Sequence, residues 1–202
     1  TPLQLWHSRE TARSWYGLME ARWRGWYGIP RDDRWAILGG QLVVPIQQKA
    51  PPFWVWNSGL NQLYLSSYHL SAGSCAAYFS ALQESRVVYL WGYASSLYTL
   101  ALLAAEHSLS PPPLKLLISN AEPLYAHQRA LIQRVFGCPV RDTYGMSEMV
   151  CAASECESGR MHLWPEAGHY EVLRDDSDEP VKPGEIGRLV CTGLLNADMP
   201  LI

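Results

Sequence analysis

The sequence predicts an α/β protein in which a largely parallel sheet is flanked by helices, with a smaller β-rich portion near the C-terminus. Short apolar segments alternate with helical patterns from residue 63 to residue 143, which is typical of a parallel sheet. The alternation stops near residue 165, where β-type segments follow one another. Hydrophobic residues make up 48% and charged residues 17% of the 202 residues, so the chain can form a sizeable core and is not intrinsically disordered.

The amino-terminal part begins with a predicted helix that Ser8 can cap and that ends at Gly28 and Pro30. Its large apolar residues recur at helical spacing, which favours a face turned to the core over the alternative of a carbohydrate-stacking surface. These residues are Trp15, Met19, Trp23 and Trp26. A short buried strand is expected at 35–38, and a long irregular loop at 45–62, where Pro, Gly and Asn are frequent.

Strands and helices alternate over the middle of the chain. Ser71, and then Ser95 or Ser96, can cap two of the helices. A third helix has Pro123 in its first turn and stops at Gly137. The strands are predicted at 63–66, 87–90, 114–118 and 140–143, and two further strands at 170–173 and 187–192 are joined through the acidic turn 175–179.

The charge, hydropathy and cysteine content of the chain indicate which kinds of binding partner and which cellular compartment to expect. Sixteen Lys and Arg residues against nineteen Asp and Glu residues give a net charge of −3, so no nucleic-acid partner is expected. No apolar stretch reaches the roughly 18 residues that a membrane-spanning helix needs. The five cysteines form an odd and scattered set, which favours reduced thiols in a cytoplasmic protein over a disulfide framework.

Polar or glycine-rich residues follow three of the predicted strands, at 92–93, 119–122 and 144–148. Ligands of parallel sheets bind at such carboxyl ends. Between Asp142 and Glu148, an aromatic ring can stack on a purine, a glycine permits close backbone approach, a hydroxyl can donate to a phosphate, and a carboxylate can bind Mg²⁺. The helix opened by Pro123 adds an amino terminus that favours anions. Each feature by itself also fits an ordinary solvated surface.

Several longer segments resemble, in amino-acid sequence and in their order along the chain, the conserved motifs of the adenylate-forming superfamily. Within it, the chain is most similar to the branch of phenylacetate–coenzyme A ligases and capsular-polysaccharide-biosynthesis proteins. The resemblance extends over nearly the whole chain. It is carried by Leu65-Ser66-Ser67-Tyr68-His69-Leu70-Ser71, Gly92-Tyr93-Ala94-Ser95-Ser96-Leu97, Ile118-Ser119-Asn120-Ala121-Glu122-Pro123-Leu124, Asp142-Thr143-Tyr144-Gly145-Met146-Ser147-Glu148, Pro183-Gly184-Glu185-Ile186-Gly187-Arg188-Leu189-Val190 and Met199-Pro200-Leu201-Ile202.

The resemblance implies roles for individual residues. Tyr144 would stack on adenine, Ser147 would contact the region of the α-phosphate, and Glu148 would bind Mg²⁺, so Ser147 and Glu148 are the candidate catalytic residues. The acyl group would lie near Gly92 and Tyr93, with His69 as a gate; a histidine packed in the core is the alternative for His69. The remaining nucleotide-binding candidates are Asn120, Ala121, Glu122, Pro123, Asp142, Thr143, Gly145 and Met146.

The chemistry implied by the resemblance is activation of a small carboxylic acid. The carboxylate and MgATP would give an acyl-adenylate and pyrophosphate, and the acyl group would then pass to coenzyme A. One alternative is a protein of capsular or envelope polysaccharide biosynthesis that passes the acyl group to an amine or a sugar. A second alternative, from a different class, is a non-catalytic remnant that keeps only the fold, and a third is a carbohydrate-binding module built on the Trp-rich helix.

Two parts of the superfamily pattern have no counterpart in the 202 residues: the Ser/Thr/Gly-rich phosphate loop and the Gly-Asp segment with the lysine-bearing carboxy-terminal domain beyond it. The resemblance therefore implies a piece of a larger polypeptide, truncated at both ends, whose partner is the rest of that polypeptide. Residues 1–165 would be an incomplete α/β core with the nucleotide and acyl pockets, and 166–202 the start of a β-rich subdomain. We expect these 202 residues alone to be inactive.

One further group of potential metal ligands stands outside the resemblance. Cys151, Cys156, His162 and His169 could hold zinc, with Cys138 as an additional ligand. The spacing is not that of a regular paired-cysteine motif, and buried free thiols are common in proteins. Zinc is therefore not expected.

Overall fold

In the computed structural model, which describes residues 4–201, the chain forms two compact units. The sheet unit comprises Tyr27–Thr143. The hairpin unit combines the amino-terminal segment up to Trp26 with the chain from Tyr144 onward. None of the helices in the described part of the chain has the length and apolar character needed to cross a bilayer.

The sheet unit contains a mainly parallel sheet. Five strands run parallel, and β2, at one edge, is antiparallel to β3. In spatial order the strands are β2 (Trp54–Asn57), β3 (Gln62–Ser66), β1 (Trp35–Gly39), β4 (Tyr89–Tyr93), β5 (Leu116–Asn120) and β6 (Val140–Gly145), and the helices are α2 (Ala72–Glu84), α3 (Ala94–Glu106) and α4 (Ala126–Phe136). The predicted α/β class with a largely parallel sheet is thus confirmed.

Alternation of side chains along the strands gives this sheet two different faces. One face is aliphatic, and its residues Ala36, Leu38, Leu63, Leu65 and Leu90 are buried against apolar side chains of α2 and α3. The other face is aromatic, because the intervening positions are Trp and Tyr. The Trp35 ring stacks on the ring of Tyr89, its partner on the neighbouring strand, with centroids 5.4 Å apart. The residues on this face are Trp35, Ile37, Tyr64, Tyr89, Trp91 and Tyr93.

The hairpin unit contains one helix and two antiparallel strand pairs. Ser8 caps the helix by accepting a hydrogen bond from the Thr11 backbone N–H at 3.0 Å, as the sequence predicted. The helix is followed by a π-helical turn, Glu20–Arg24, and a 3₁₀ turn, Gly25–Tyr27. The elements are α1 (Arg9–Met19), β7 (Ala152–Glu155) paired with β8 (Met161–Leu163), and β9 (Gly168–Leu173) paired with β10 (Arg188–Gly193).

The Trp-rich stripe of the first helix packs inward. The buried Trp15 ring lies 5.6 Å from the ring of Trp164, which is also buried. The indole N–H of Trp23 donates to the Ser154 hydroxyl at 3.1 Å. Arg22 lies over the Trp164 ring and pairs with Glu166 at 2.6 Å. These contacts confirm a packed face and speak against the carbohydrate-stacking alternative for Trp15 and Trp23.

Several element boundaries differ from the sequence predictions. Strand β2 lies inside the predicted loop 45–62. Its Trp and Val residues pair with β3 across the short connection 58–61, and the surrounding Pro, Gly and Asn residues obscure this strand in the sequence. The β7–β8 hairpin was not predicted. Strands β4 and β5 lie about two residues later than expected. Tyr93, not Ser95 or Ser96, occupies the N-cap position of α3, and its side chain makes no capping hydrogen bond. Helix α4 begins at Ala126 instead of near Pro123.

Candidate functional site

The carboxyl end of β6 is held by a buried polar network within the sheet unit. The Ser119 hydroxyl donates to the Asp142 carboxylate at 2.6 Å, and the Thr143 backbone N–H donates to the same oxygen at 3.0 Å. The Thr143 hydroxyl donates to the Ser119 carbonyl at 2.8 Å. Because buried polar groups without partners are costly, these bonds fix the end of the strand just before Tyr144. Asp142 and Thr143, which the sequence assigned to nucleotide binding, therefore also anchor the strand.

The Asn120–Pro123 segment ends β5 and turns away from a helical path. Ala121 has a positive φ of 61°, which non-glycine residues seldom adopt. The Glu122 carboxylate accepts a hydrogen bond from the Ser95 backbone N–H at 2.8 Å, in the first turn of α3. Glu122 thus satisfies a free N–H at the start of α3 and complements the helix dipole. This bond also explains why residues 121–125 stay outside α4.

Gly92 and Tyr93 lie at the carboxyl end of β4. A Cβ atom on Gly92 would lie 2.9 Å from the Leu38 carbonyl oxygen and 3.2 Å from a Leu97 methyl carbon, so a larger residue would push β1 and α3 away. The Tyr93 side chain lies against Gly40, where an added Cβ would be 3.1 Å from one ring carbon and 3.1 Å from the hydroxyl oxygen. The resemblance implies that the acyl group binds near these two residues, which stays a prediction. Close packing against β1 and α3 by itself requires glycine at position 92.

His69 is a packed histidine in the sheet unit. Its ring stacks on Phe53 with centroids 4.8 Å apart, and its Nδ1 lies 2.8 Å from the Ser66 hydroxyl. Its Nε2 is buried, and no group among residues 4–201 hydrogen-bonds to it. The geometry corresponds to the packed alternative that the sequence left open. A role as an acyl gate stays a prediction.

Residues 144–148 belong to the hairpin unit and leave three chemically different groups accessible. Tyr144 is 45% exposed, Ser147 is exposed, and Glu148 is partly exposed. Glu148 forms no ion pair with any residue the structure describes. Met146 instead packs inward beside Cys151, with its sulfur 3.9 Å from the Cys151 thiol. An open ring, a hydroxyl and an unpaired carboxylate are the groups that a stacked base, a phosphate oxygen and Mg²⁺ require.

The Tyr144 phenol is tied to the hairpin unit beneath it. Burial raises the pKa of Tyr144 above its usual value, and the neighbouring Cys151, Cys191 and Glu148 raise it further. Burial likewise raises the pKa of Cys151 to about 12, with Cys191 as its nearest thiol. Both groups are therefore neutral at physiological pH. The Tyr144 hydroxyl lies beside the Cys151 thiol, while nearly half of the residue stays exposed.

The cysteines and histidines that were considered as zinc ligands do not converge in the described part of the chain. No three His, Cys, Asp or Glu side chains in the described part of the chain come together as a metal site. Cys151 is buried, whereas Cys156 lies at the β7–β8 turn. Hydrogen bonds from the Arg160 backbone, the His162 ring and the Ser158 backbone lower the pKa of Cys156 to about 7. All five cysteines are free thiols.

We expect Cys156 to be the most reactive thiol of the chain near neutral pH. Its iodoacetamide alkylation rate should rise with a midpoint near pH 7, because the thiolate is the nucleophile. Burial raises the pKa of Cys75 to about 11 and of Cys138 to about 12, so both should label slowly. Mass spectrometry after timed alkylation measures the rates. The His162→Gln variant should move the midpoint upward, and an unchanged midpoint would contradict this account.

Comparison with known proteins gives relatives in sequence, although the chain matches no protein-family model. It is 29% identical over 178 residues to protein CapK of Staphylococcus aureus, which covers 87% of this chain and 38% of CapK. It is 28% identical over 152 residues to a phenylacetate-coenzyme A ligase of Thermus thermophilus, which covers 72% of this chain and 34% of that enzyme. The chain thus spans less than two-fifths of the length of either relative.

Solved structures share the fold over nearly the whole chain. A 2-hydroxyisobutyryl-CoA ligase in complex with 2-HIB-AMP and CoA superposes with a TM-score of 0.70, 21% identity, and coverage of 100% of this chain and 43% of that one. A benzoate CoA ligase from Burkholderia xenovorans gives a TM-score of 0.62, 18% identity, and coverage of 96% and 39%. The relatives and these structures confirm the predicted resemblance to the adenylate-forming superfamily.

Proposed function

We propose that the polypeptide containing this chain activates a small carboxylic acid with ATP and transfers the acyl group to coenzyme A. The observation that carries the proposal is the segment 144–148, which begins in the last two residues of parallel strand β6 and continues beyond its carboxyl end. Within it, Tyr144 and Ser147 are exposed and Glu148 is partly exposed. The carboxyl ends of parallel strands are where such sheets bind ligands. The name of the Thermus relative and those of the CoA ligases with the same fold support this assignment.

The chain's own residues would bind and orient the reactants. Tyr144 would stack on the adenine, Ser147 would donate to an oxygen of the α-phosphate, and Glu148 would hold Mg²⁺. When bound, MgATP supplies the electrophilic phosphorus and neutralises the charge that develops on the phosphates. The buried network of Ser119, Asp142 and Thr143 keeps the end of β6 in place and limits reorganisation of this segment during the reaction.

A second acceptor class has its own support. CapK matches 87% of this chain, more than the phenylacetate-coenzyme A ligase does, and its name fits the capsular-polysaccharide branch of the resemblance. A protein of that branch would pass the acyl group to an amine or a sugar. In either case the first half-reaction is the same, and we place it in the cytoplasm, where ATP and coenzyme A are available.

The test is ATP–pyrophosphate exchange, measured on the full polypeptide that the gene encodes. A panel of aryl, short-chain and hydroxylated acids should contain at least one acid that gives exchange above the rate without acid. Adding coenzyme A, an amino sugar or a simple amine in separate reactions then identifies the acceptor by the product's mass. Absence of exchange with every acid, from a protein shown to be folded, would support the non-catalytic alternative.

A further inference from the structure

Three polar side chains lie along the carboxyl edge of the aromatic face in the sheet unit. Tyr64 lies across from Ile37, two residues before Gly39 at the end of β1, and Tyr93 lies across from Asn120 at the ends of β4 and β5. Residues opposite each other in a sheet point to the same face. A phenol from β3, a phenol from β4 and an amide from β5 therefore share one edge, which we call the phenolic edge.

Glycines let the two phenols of the phenolic edge lie directly on the backbone. A Cβ atom on Gly39 would lie 2.6 Å from the Tyr64 hydroxyl oxygen, and one on Gly40 would lie 3.1 Å from the Tyr93 ring. The exposed Tyr68 donates its hydroxyl to the Gly40 carbonyl at 2.9 Å and holds this loop from the other side. Both phenols are thus confined to fixed positions by backbone contact.

Within the described part of the chain, the Tyr64 hydroxyl has a hydrogen to donate and no acceptor for it. Its oxygen is hydrogen-bonded by the Gln41 backbone, which lowers the pKa, but burial is the larger effect and keeps the pKa above its usual value, with Tyr93 raising it further. The phenol is therefore protonated at physiological pH. No hydrogen bond among residues 4–201 has the Tyr64 hydroxyl as its donor, and none involves the side-chain amide of Asn120.

A half-buried donor without an acceptor favours a ligand that brings one. An aliphatic or unsubstituted aryl group against Tyr64 would displace water and leave its hydroxyl unsatisfied, which costs free energy. A ligand oxygen would restore the bond. Sites built to hydrogen-bond a substrate hydroxyl discriminate strongly against the analogue that lacks it, because the unpaired group is then buried.

We propose that Tyr64 is a specificity-determining residue, and that the acid activated by this protein carries a hydroxyl, carbonyl or amide oxygen that accepts a hydrogen bond from the Tyr64 phenol. Tyr93 and Asn120 complete the polar edge beside it. The inference rests on the proposed function, since it assigns the acyl group to the carboxyl edge of the sheet unit. It selects oxygen-substituted acids over the corresponding hydrocarbon acids.

The experiment compares acids that differ by one hydroxyl: lactate with propionate, 3-hydroxybutyrate with butyrate, and 4-hydroxyphenylacetate with phenylacetate. The kcat/KM for pyrophosphate exchange is measured for each pair. In the wild-type protein, the hydroxylated member of the best pair should be favoured by at least about tenfold, the value of one hydrogen bond to a buried donor. In Tyr64→Phe that preference should fall by about tenfold. Tyr16→Phe, on the exposed face of α1, should leave it unchanged.

The outcomes separate this inference from the function on which it rests. Exchange that favours the unsubstituted acids, or an equal preference in wild type and Tyr64→Phe, would overturn the role of Tyr64 and leave carboxylate activation standing. No exchange with any acid would overturn both. Ligand-observed NMR with the same pairs gives a readout that needs no turnover, and binding of the hydroxylated acid should weaken in Tyr64→Phe by the same factor.

Discussion

Replacing Glu148 with glutamine is expected to lower ATP–pyrophosphate exchange by at least about 100-fold in the full polypeptide. Removing one preorganised charge-stabilising group typically costs 10²–10³ in rate. Glutamine keeps the shape of the side chain and removes the charge that would hold Mg²⁺. Glu148 has no ion pair among the described residues, so the fold should not change.

The measurement is the exchange rate at saturating acid, with a magnesium titration for each variant. Glu171→Gln on β9 is the matched control, because it removes an exposed carboxylate from the same unit. It should retain wild-type exchange. Circular dichroism and thermal melting should agree for all three proteins. Exchange by Glu148→Gln within threefold of wild type would remove Glu148 from the mechanism.

Replacing Gly168 with alanine should destabilise the hairpin unit by about 2–3 kcal/mol, the cost of forcing extra atoms into a packed site. Gly168 is buried at the start of β9. An added Cβ would overlap the Val150 carbonyl oxygen and lie 2.8 Å from the Thr192 carbonyl oxygen. Both obstacles are backbone, so relief requires movement of the segment after Glu148 or of β10.

Urea unfolding followed by tryptophan fluorescence measures this effect as a lower midpoint. Gly17→Ala is the control, since Gly17 lies inside α1 with no atom within 4 Å of the added Cβ. Alanine favours helix over glycine, so this variant should be as stable as wild type or more stable by up to about 1 kcal/mol. A Gly168→Ala midpoint equal to that of wild type would show that the backbone adapts without cost.

Local patterns were sufficient for much of the fold. Apolar runs such as 63–66 and the stop signal at Gly137 depend on neighbouring residues alone, and the structure has a strand and a helix end there. The capping of α1 by Ser8 is equally local. Strand β2 was missed because the Pro, Gly and Asn residues around it are typical of loops. The β7–β8 hairpin was missed because its five-residue connection, 156–160, carries a weak turn signal.

Some residues of the candidate site could likewise be recognised from the sequence, and others only from the structure. The segment 144–148 could be recognised from the sequence alone, because its aromatic ring, hydroxyl and carboxylate lie within five consecutive residues after a predicted strand. Tyr64 was missed, although strict alternation through Gln62–Ser66 would have put it on the face opposite to Leu63 and Leu65. Its significance depends on Gly39 of a different strand. A sequence pattern does not show which strands become neighbours.

The sequence by itself determined the α/β class, most strands and helices, and the chemistry available at residues 144–148, because these depend on periodicity and on local residue order. Only the tertiary structure decided which polar side chains are already engaged in hydrogen bonds or packing and which remain accessible to a ligand. Glu122 is used to cap α3, and His69 is packed on Phe53, whereas Glu148 has no ion pair in the described part of the chain. The physical reason is that hydrogen bonds, burial and close backbone contacts are made between strands and helices far apart in the chain.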